Sequence, residues 1–109
     1  PTALGAWQAL AMATRDGARA LHLADSVGTL TPGKAADITI VSLEEWSTIP
    51  GEDPAARVVH GATARDVRHV VVDGRLVVRD HALTTVDRSQ LRTRVDESWR
   101  AVRSRMTPS

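Results

Sequence analysis

Four histidines, His22, His60, His69 and His81, are the residues of this 109-residue chain best suited to metal binding or general-base work. Two imidazoles reach one metal when they are spaced His-x-His or His-x-x-x-His, or when Glu-x-x-His sets two ligands on one helical face. None of the four has such a spacing, so the residues read as carrying no metal site. His22 closes a helical stretch, where an imidazole can satisfy terminal carbonyls. His69 and His81 flank a hairpin and are expected at the surface. Cysteine is absent, which removes thiolate ligands, cysteine nucleophiles and disulfides together.

The other candidates weaken in the same way. Asp37 stands at the start of a strand; a carboxylate base is one reading, and a turn residue bonded to nearby backbone amides is the better one. Lys34 after Pro32-Gly33 evokes a phosphate loop, but the G-x-x-x-x-G-K-[ST] frame is missing, so a structural turn is expected. Arg88, Arg92, Arg94, Arg100, Arg103 and Arg105 form a basic run. Asp87, Asp96 and Glu97 interrupt it and no aromatic platform interleaves, so a solvated helix face is favoured over a nucleic-acid footprint. Trp7, Trp46 and Trp99 are expected to act as packing anchors and not as ligand platforms. No catalytic, cofactor-binding or metal-binding residue is assigned to this chain.

The elements that would hold these residues follow from periodicity. Ala3, Leu4, Trp7, Leu10, Ala11, Ala18 and Leu21 recur at helical spacing over 3–23, with Thr14 to Gly17 reading as a break before a second short helix. Asp37 to Leu43 alternates and is β-branched, the mark of a strand. Residues 44–54 form an excursion, and Asp53-Pro54 opens a helical turn through Val59. Val67 to Val72 and Arg75 to Val78 flank Asp73-Gly74, a pair suited to a two-residue hairpin turn. A short strand over 82–86 follows. Leu91, Val95, Trp99, Val102 and Met106 then lie on one stripe of a terminal helix starting near Asp87.

Composition fits one soluble globular unit: 42% hydrophobic, 25% charged, with neither Phe nor Tyr. The net charge of +1 hides an asymmetry. Residues 1–54 carry three basic against seven acidic side chains, a balance of −4, and residues 55–109 carry eleven against six, a balance of +5. Such halves suit each other or a missing partner as well as nucleic acid. No apolar run reaches the ~18 residues of a membrane span and no signal segment is visible. The chain therefore reads as cytoplasmic, with no membrane partner. About four short strands and one terminal helix are too little to cover the apolar face of the first helix. The expectation is a fragment, with Leu4, Trp7, Leu10, Ala11 and Leu21 exposed in isolation.

Three ordered blocks carry a resemblance. Gly28-Thr29-Leu30-Thr31-Pro32-Gly33-Lys34-Ala35-Ala36-Asp37 resembles the G-x-L-x-P-G-K-x-A-D segment of the amidohydrolase superfamily. Ala9 to Leu21 before it is similar to that family's A-L-x-M-A-T-x-x-G-A-x-A-L helix pair. Asp66 to Val78 after it is similar to the family's hairpin. Asp53 to Ala62 resembles a stretch of the chlorohydrolase and aminohydrolase branch, which includes nucleobase and nucleoside deaminases.

The resemblance implies an α/β fragment: the last helices of a (β/α)8 metal-dependent hydrolase barrel over 1–26, the C-terminal strands of a small composite β-sandwich over 27–86, and an amphipathic helix over 87–109. It implies zinc or a similar divalent metal in the complete enzyme, with every metal ligand upstream of Pro1, and hydrolysis of a C–N bond in a nitrogen heterocycle by metal-bound hydroxide. The implied partners are the rest of the barrel, in the same or a separate chain, and a small-molecule substrate. A homo-oligomer is compatible with it. Two other readings stand beside this one: a non-catalytic module pairing with a separate barrel chain, and a small basic nucleic-acid-binding domain.

Overall fold

β-Branched residues and tight turns build the centre of the structure, a computed structural model that describes residues 3–49 and 51–106. Ile38–Val41 (β1), Val67–Val72 (β2), Arg75–Arg79 (β3) and Ala82–Leu83 (β4) form one antiparallel sheet in chain order. β1 meets β2 with Ile38 opposite Val71 and Ile40 opposite His69. Register shifts at Ile40/Val41 and Val70/Val71 put a bulge on each side of β2. Asp73 and Gly74 join β2 to β3 with φ of 48° and 74°, the positive pair a type I′ turn requires. β1 is shorter than the alternating run Asp37 to Leu43.

A second hairpin joins β3 to β4 through Asp80 and His81, with φ of 44° and 67°. The strand expected over 82–86 is shorter: β4 keeps two residues. Thr84 still reaches back, its amide to the Val77 carbonyl (3.0 Å) and its hydroxyl to the Leu76 carbonyl (2.6 Å).

The break expected at Thr14 to Gly17 is corrected. Ala6–Ala11 (α1) runs through a π turn, Met12–Asp16, into Gly17–Ala20 (α2). Asp16 (φ −76°, ψ −33°) and Gly17 (φ −60°, ψ −47°) keep right-handed helical geometry. The wider turn absorbs the residues that composition marks as a stop, and Thr14 folds its hydroxyl onto the Leu10 carbonyl at 2.7 Å. The helix closes at His22 (φ 59°). The Leu23 amide donates to Ala18 O (2.8 Å) and the His22 amide to Arg19 O (3.1 Å), the paired bonds of a Schellman cap. Backbone amides, not the His22 imidazole, satisfy those carbonyls.

Pro54–Ala56 (α3) starts at Asp53, whose carboxylate accepts the Ala55 amide at 3.1 Å. It continues as a π turn over Arg57–Gly61 and so runs past the expected end at Val59. This segment packs against α1. The terminal helix, Arg88–Met106 (α4), begins where the sequence places it, capped by Asp87.

Burial is scarce. Among the described residues only Ala18, Thr48, Ala55 and Asp66 are buried. The radius of gyration is 18.7 Å, against ~13 Å for a compact chain of this length. Leu4, Trp7 and Leu21 are exposed as expected, whereas Leu10 and Ala11 are half-buried.

Candidate functional site

The loop after the first helix is held by close backbone contacts. Gly28 (φ 96°) lies on the π turn so closely that a Cβ would sit 2.6 Å from the Ala18 methyl and 3.2 Å from the Thr14 carbonyl oxygen. Pro32-Gly33 turns the chain, with Gly33 at φ 92° and the Lys34 amide donating to Thr31 O at 3.2 Å. Lys34 Nζ donates to the Ala24 carbonyl (2.5 Å) and the Ala35 amide to Ser26 O (2.9 Å). Lys34 is thus spent on its own loop and not on a phosphate cradle.

Asp37 leaves that loop and faces the far turn. Its Oδ1 accepts the Asp73 amide at 2.7 Å, and the Gly74 amide donates to Ala36 O at 3.1 Å. A carboxylate bonded in this way holds a hairpin tip.

The four histidines are dispersed. His22 caps a helix and His60 is exposed on the π turn after α3. His69 is less exposed than expected for a surface position, its side chain 25% accessible. Its Nδ1 accepts the Asp80 amide at 3.2 Å, and its Nε2 lies 3.6 Å from the Asp80 carboxylate. Arg68 Nε donates to the same carboxylate at 3.0 Å. That hydrogen bond, with the positive charge of Arg68, lowers the pKa of the Asp80 carboxyl. The Arg68–His69–Asp80–His81 group borders a shallow groove lined by Ala64, Arg65, Val67, Val78 and His81. It locks the β3–β4 turn, which has no glycine to relax it. No group of three or more His, Cys, Asp or Glu able to hold a metal ion occurs among the described residues.

Two polar centres escaped sequence reading. Asp66 is buried at 4% accessibility and accepts both the amide (2.6 Å) and hydroxyl (3.0 Å) of Thr63. The signal was present in Thr63-Ala64-Arg65-Asp66, a capping-box spacing. Arg57 clamps the excursion, Nε donating to Thr48 O at 2.8 Å and the guanidinium also to Leu43 O. No local pattern marks it.

The second groove is apolar and runs along the first helix, lined by Trp7, Leu10, Ala11, Thr14, Gly28 and Leu30 among others. The sequence profile of the Amidohydrolase family matches residues 2–77, which span this groove, the Gly28 loop and the hairpin. The chain belongs to the amidohydrolase family. It is 39% identical over 95 residues to a 5-methylthioadenosine/S-adenosylhomocysteine deaminase of Syntrophobacter fumaroxidans, covering 87% of this chain and 22% of that protein. An adenosine deaminase from Xanthomonas campestris, solved with bound zinc, superposes with TM-score 0.89 at 28% identity over 94% of this chain and 23% of its own. The atrazine chlorohydrolase TrzN from Arthrobacter aurescens TC1, complexed with zinc, superposes with TM-score 0.78 at 29% identity over 86% of this chain and 20% of its own.

This amidohydrolase chain therefore spans about a fifth of the length of the proteins it matches. Its three resemblance blocks hold together in space as well as in order. The Gly28 loop rests on the helix block and Asp37 ties to the hairpin block. No helix among the described residues is long and apolar enough to cross a membrane.

Proposed function

We propose that residues 1–109 are the C-terminal scaffold of a metal-dependent deaminase acting on a C–N bond of a purine-like nitrogen heterocycle in the cytoplasm. Residues 1–26 supply the last barrel helices, 27–86 the C-terminal share of a composite β-sandwich, and 87–109 a terminal helix. The observation that carries this reading is the joint match of helix, loop and hairpin to named deaminases. The deficient core supports it, because the rest of the enzyme would complete the exposed face of the first helix, Leu4, Trp7 and Leu21.

A zinc ion of the kind its structural neighbours hold does not fit the residues present. His22, His60, His69 and His81 do not converge, and His69 is engaged by Asp80. The reaction's metal, nucleophile and proton carriers are thus assigned to the remainder of the enzyme, and no residue of this chain is given a chemical step. Its task is geometric. The helix backs the barrel wall, and the Gly28 loop and the Asp37–Asp73 tie fix the sheet to that helix.

The test is ammonia release by the full-length protein from adenine nucleosides, with metal analysis of the same sample. Release that a chelator abolishes and zinc restores is expected. A full-length protein that carries no metal and deaminates no adenine nucleoside would refute the reading.

A further inference from the structure

We propose that the stripe on α4 docks a second copy of this chain, and that its counterpart is the acidic turn that displays Trp46. α4 has 19 residues, about 28 Å of helix. Leu91, Val95, Trp99, Val102 and Met106 fall within an arc of about 80° at 100° per residue, and they are 45%, 56%, 61%, 46% and 73% exposed. On the same wheel Arg88 falls inside the arc at the first turn, Arg92 borders one edge, and Arg94 and Arg105 border the other. Pairing α4 with another α4 through this stripe sets arginine rim against arginine rim, which like-charge repulsion disfavours. The complementary surface must be apolar at its centre and acidic at its margin.

This chain displays such a surface. Trp46 is 88% exposed and Ile49 47%, and exposed Glu44, Glu45, Glu52 and Asp53 flank them. The turn is not slack. Thr48 is 2% exposed, and its amide (2.9 Å) and hydroxyl (2.8 Å) both donate to the Glu45 carbonyl. Arg57 holds the Thr48 and Leu43 carbonyls, and a Cβ on Gly61 would overlap the Ser47 carbonyl oxygen. A tryptophan presented on a pinned turn loses little freedom when a partner covers it. Tryptophan also brings large apolar area to an interface. The charge split between the halves of the chain, −4 and +5, is the same complementarity on a larger scale. In a twofold pair each α4 receives the other copy's Trp46 turn, so the two contacts are equivalent and the assembly closes.

Sedimentation velocity of the full-length protein tests this, with ammonia release measured on the same samples so that loss of assembly and failure of the proposed chemistry are read separately. The wild type is expected to sediment as a dimer. Glu44→Arg with Glu45→Arg, and separately Arg92→Glu with Arg94→Glu, should each weaken the dimer at least about tenfold. All four changes together should recover most of that loss. Circular dichroism checks each variant; where a charge swap unfolds the protein, Trp46→Ala replaces it and should weaken the dimer likewise. A monomer at every concentration would overturn the proposal and leave the stripe to the rest of the same chain. So would a dimer indifferent to these changes, or one that the combined swap fails to restore.

Discussion

The Asp37 carboxylate, just before β1, accepts the backbone amide of Asp73 at 2.7 Å, 36 residues further along at the tip of the β2–β3 hairpin. With the Gly74 amide on Ala36 O, it clips the hairpin tip to the end of the Gly28 loop. A hydrogen bond from an amide to a charged acceptor contributes roughly 1–2 kcal/mol where solvent has partial access. Asp37→Ala should lower the stability of the full-length protein by about that amount while kcat is retained, and Asp37→Asn should recover part of the loss. Chemical denaturation beside steady-state kinetics checks this. Lost kcat with unchanged stability would make Asp37 a participant in the chemistry.

Gly74 and Gly28 both have positive φ, and they should respond differently to a side chain. Around Gly74 nothing lies within 4 Å of an added Cβ, so Gly74→Val meets conformational strain alone, on the order of 1–3 kcal/mol. Gly28→Ala meets similar strain and also the Ala18 methyl at 2.6 Å, with helix backbone behind it. Thermal melts should rank Gly28→Ala as more damaging than Gly74→Ala. Equal melting temperatures would mean that the loop moves off the π turn without cost.

The contrast between these turns shows what the sequence makes legible. Asp73-Gly74 could be read because glycine advertises positive φ. Asp80-His81 adopts the same conformation without glycine, held by Arg68, His69 and the Arg68 carbonyl that accepts the His81 amide, and those partners are up to thirteen residues away. Thr14 to Gly17 read as a break because its composition disfavours helix. The packing of Gly28 onto that turn is a tertiary fact that overrides propensity. The terminal helix is legible from its local stripe of apolar residues, whereas its Asp87 cap comes from the structure. The engagement of His69 by Asp80 required the fold.

Asp87 gives α4 a pH dependence. Its Oδ1 accepts the Ser89 hydroxyl (2.6 Å) and the amides of Ser89 (2.8 Å) and Gln90 (3.2 Å), and these bonds lower its pKa. A carboxylate lowered on folding stabilises above its unfolded pKa, near 3.9. That contribution disappears as pH falls through the lower folded value. Amide exchange at Ser89 and Gln90 should therefore speed up, relative to its intrinsic rate, only below about pH 4. Asp87→Ala should give the fast exchange at neutral pH, and Asp87→Asn, an equally good cap, should stay slow across the range. Acid acceleration that persists in Asp87→Asn would place the titrating group elsewhere.

The apolar face of the first helix should change environment between the isolated chain and the full-length protein. Leu4 at 60%, Trp7 at 64% and Leu21 at 69% exposure leave an open patch along the groove that Leu10 and Gly28 line. Leu10 and Ala11 are half-buried but Trp7 is not, and its ring alone offers ~150–250 Å² to a partner. An unpartnered patch of this kind marks a contact surface. Covering it is the task the proposed scaffold reading gives to the rest of the barrel. Oxidative footprinting read at Trp7 separates the two states without interference from Trp46 and Trp99. Heavy modification is expected in residues 1–109 expressed alone, falling at least about fivefold in the full-length protein, where ~1 kcal/mol or more of added protection corresponds to such a factor. Protection already present in the isolated chain would reveal a self-sufficient core and end the fragment reading. Equal modification in both would show that the barrel does not cover this face.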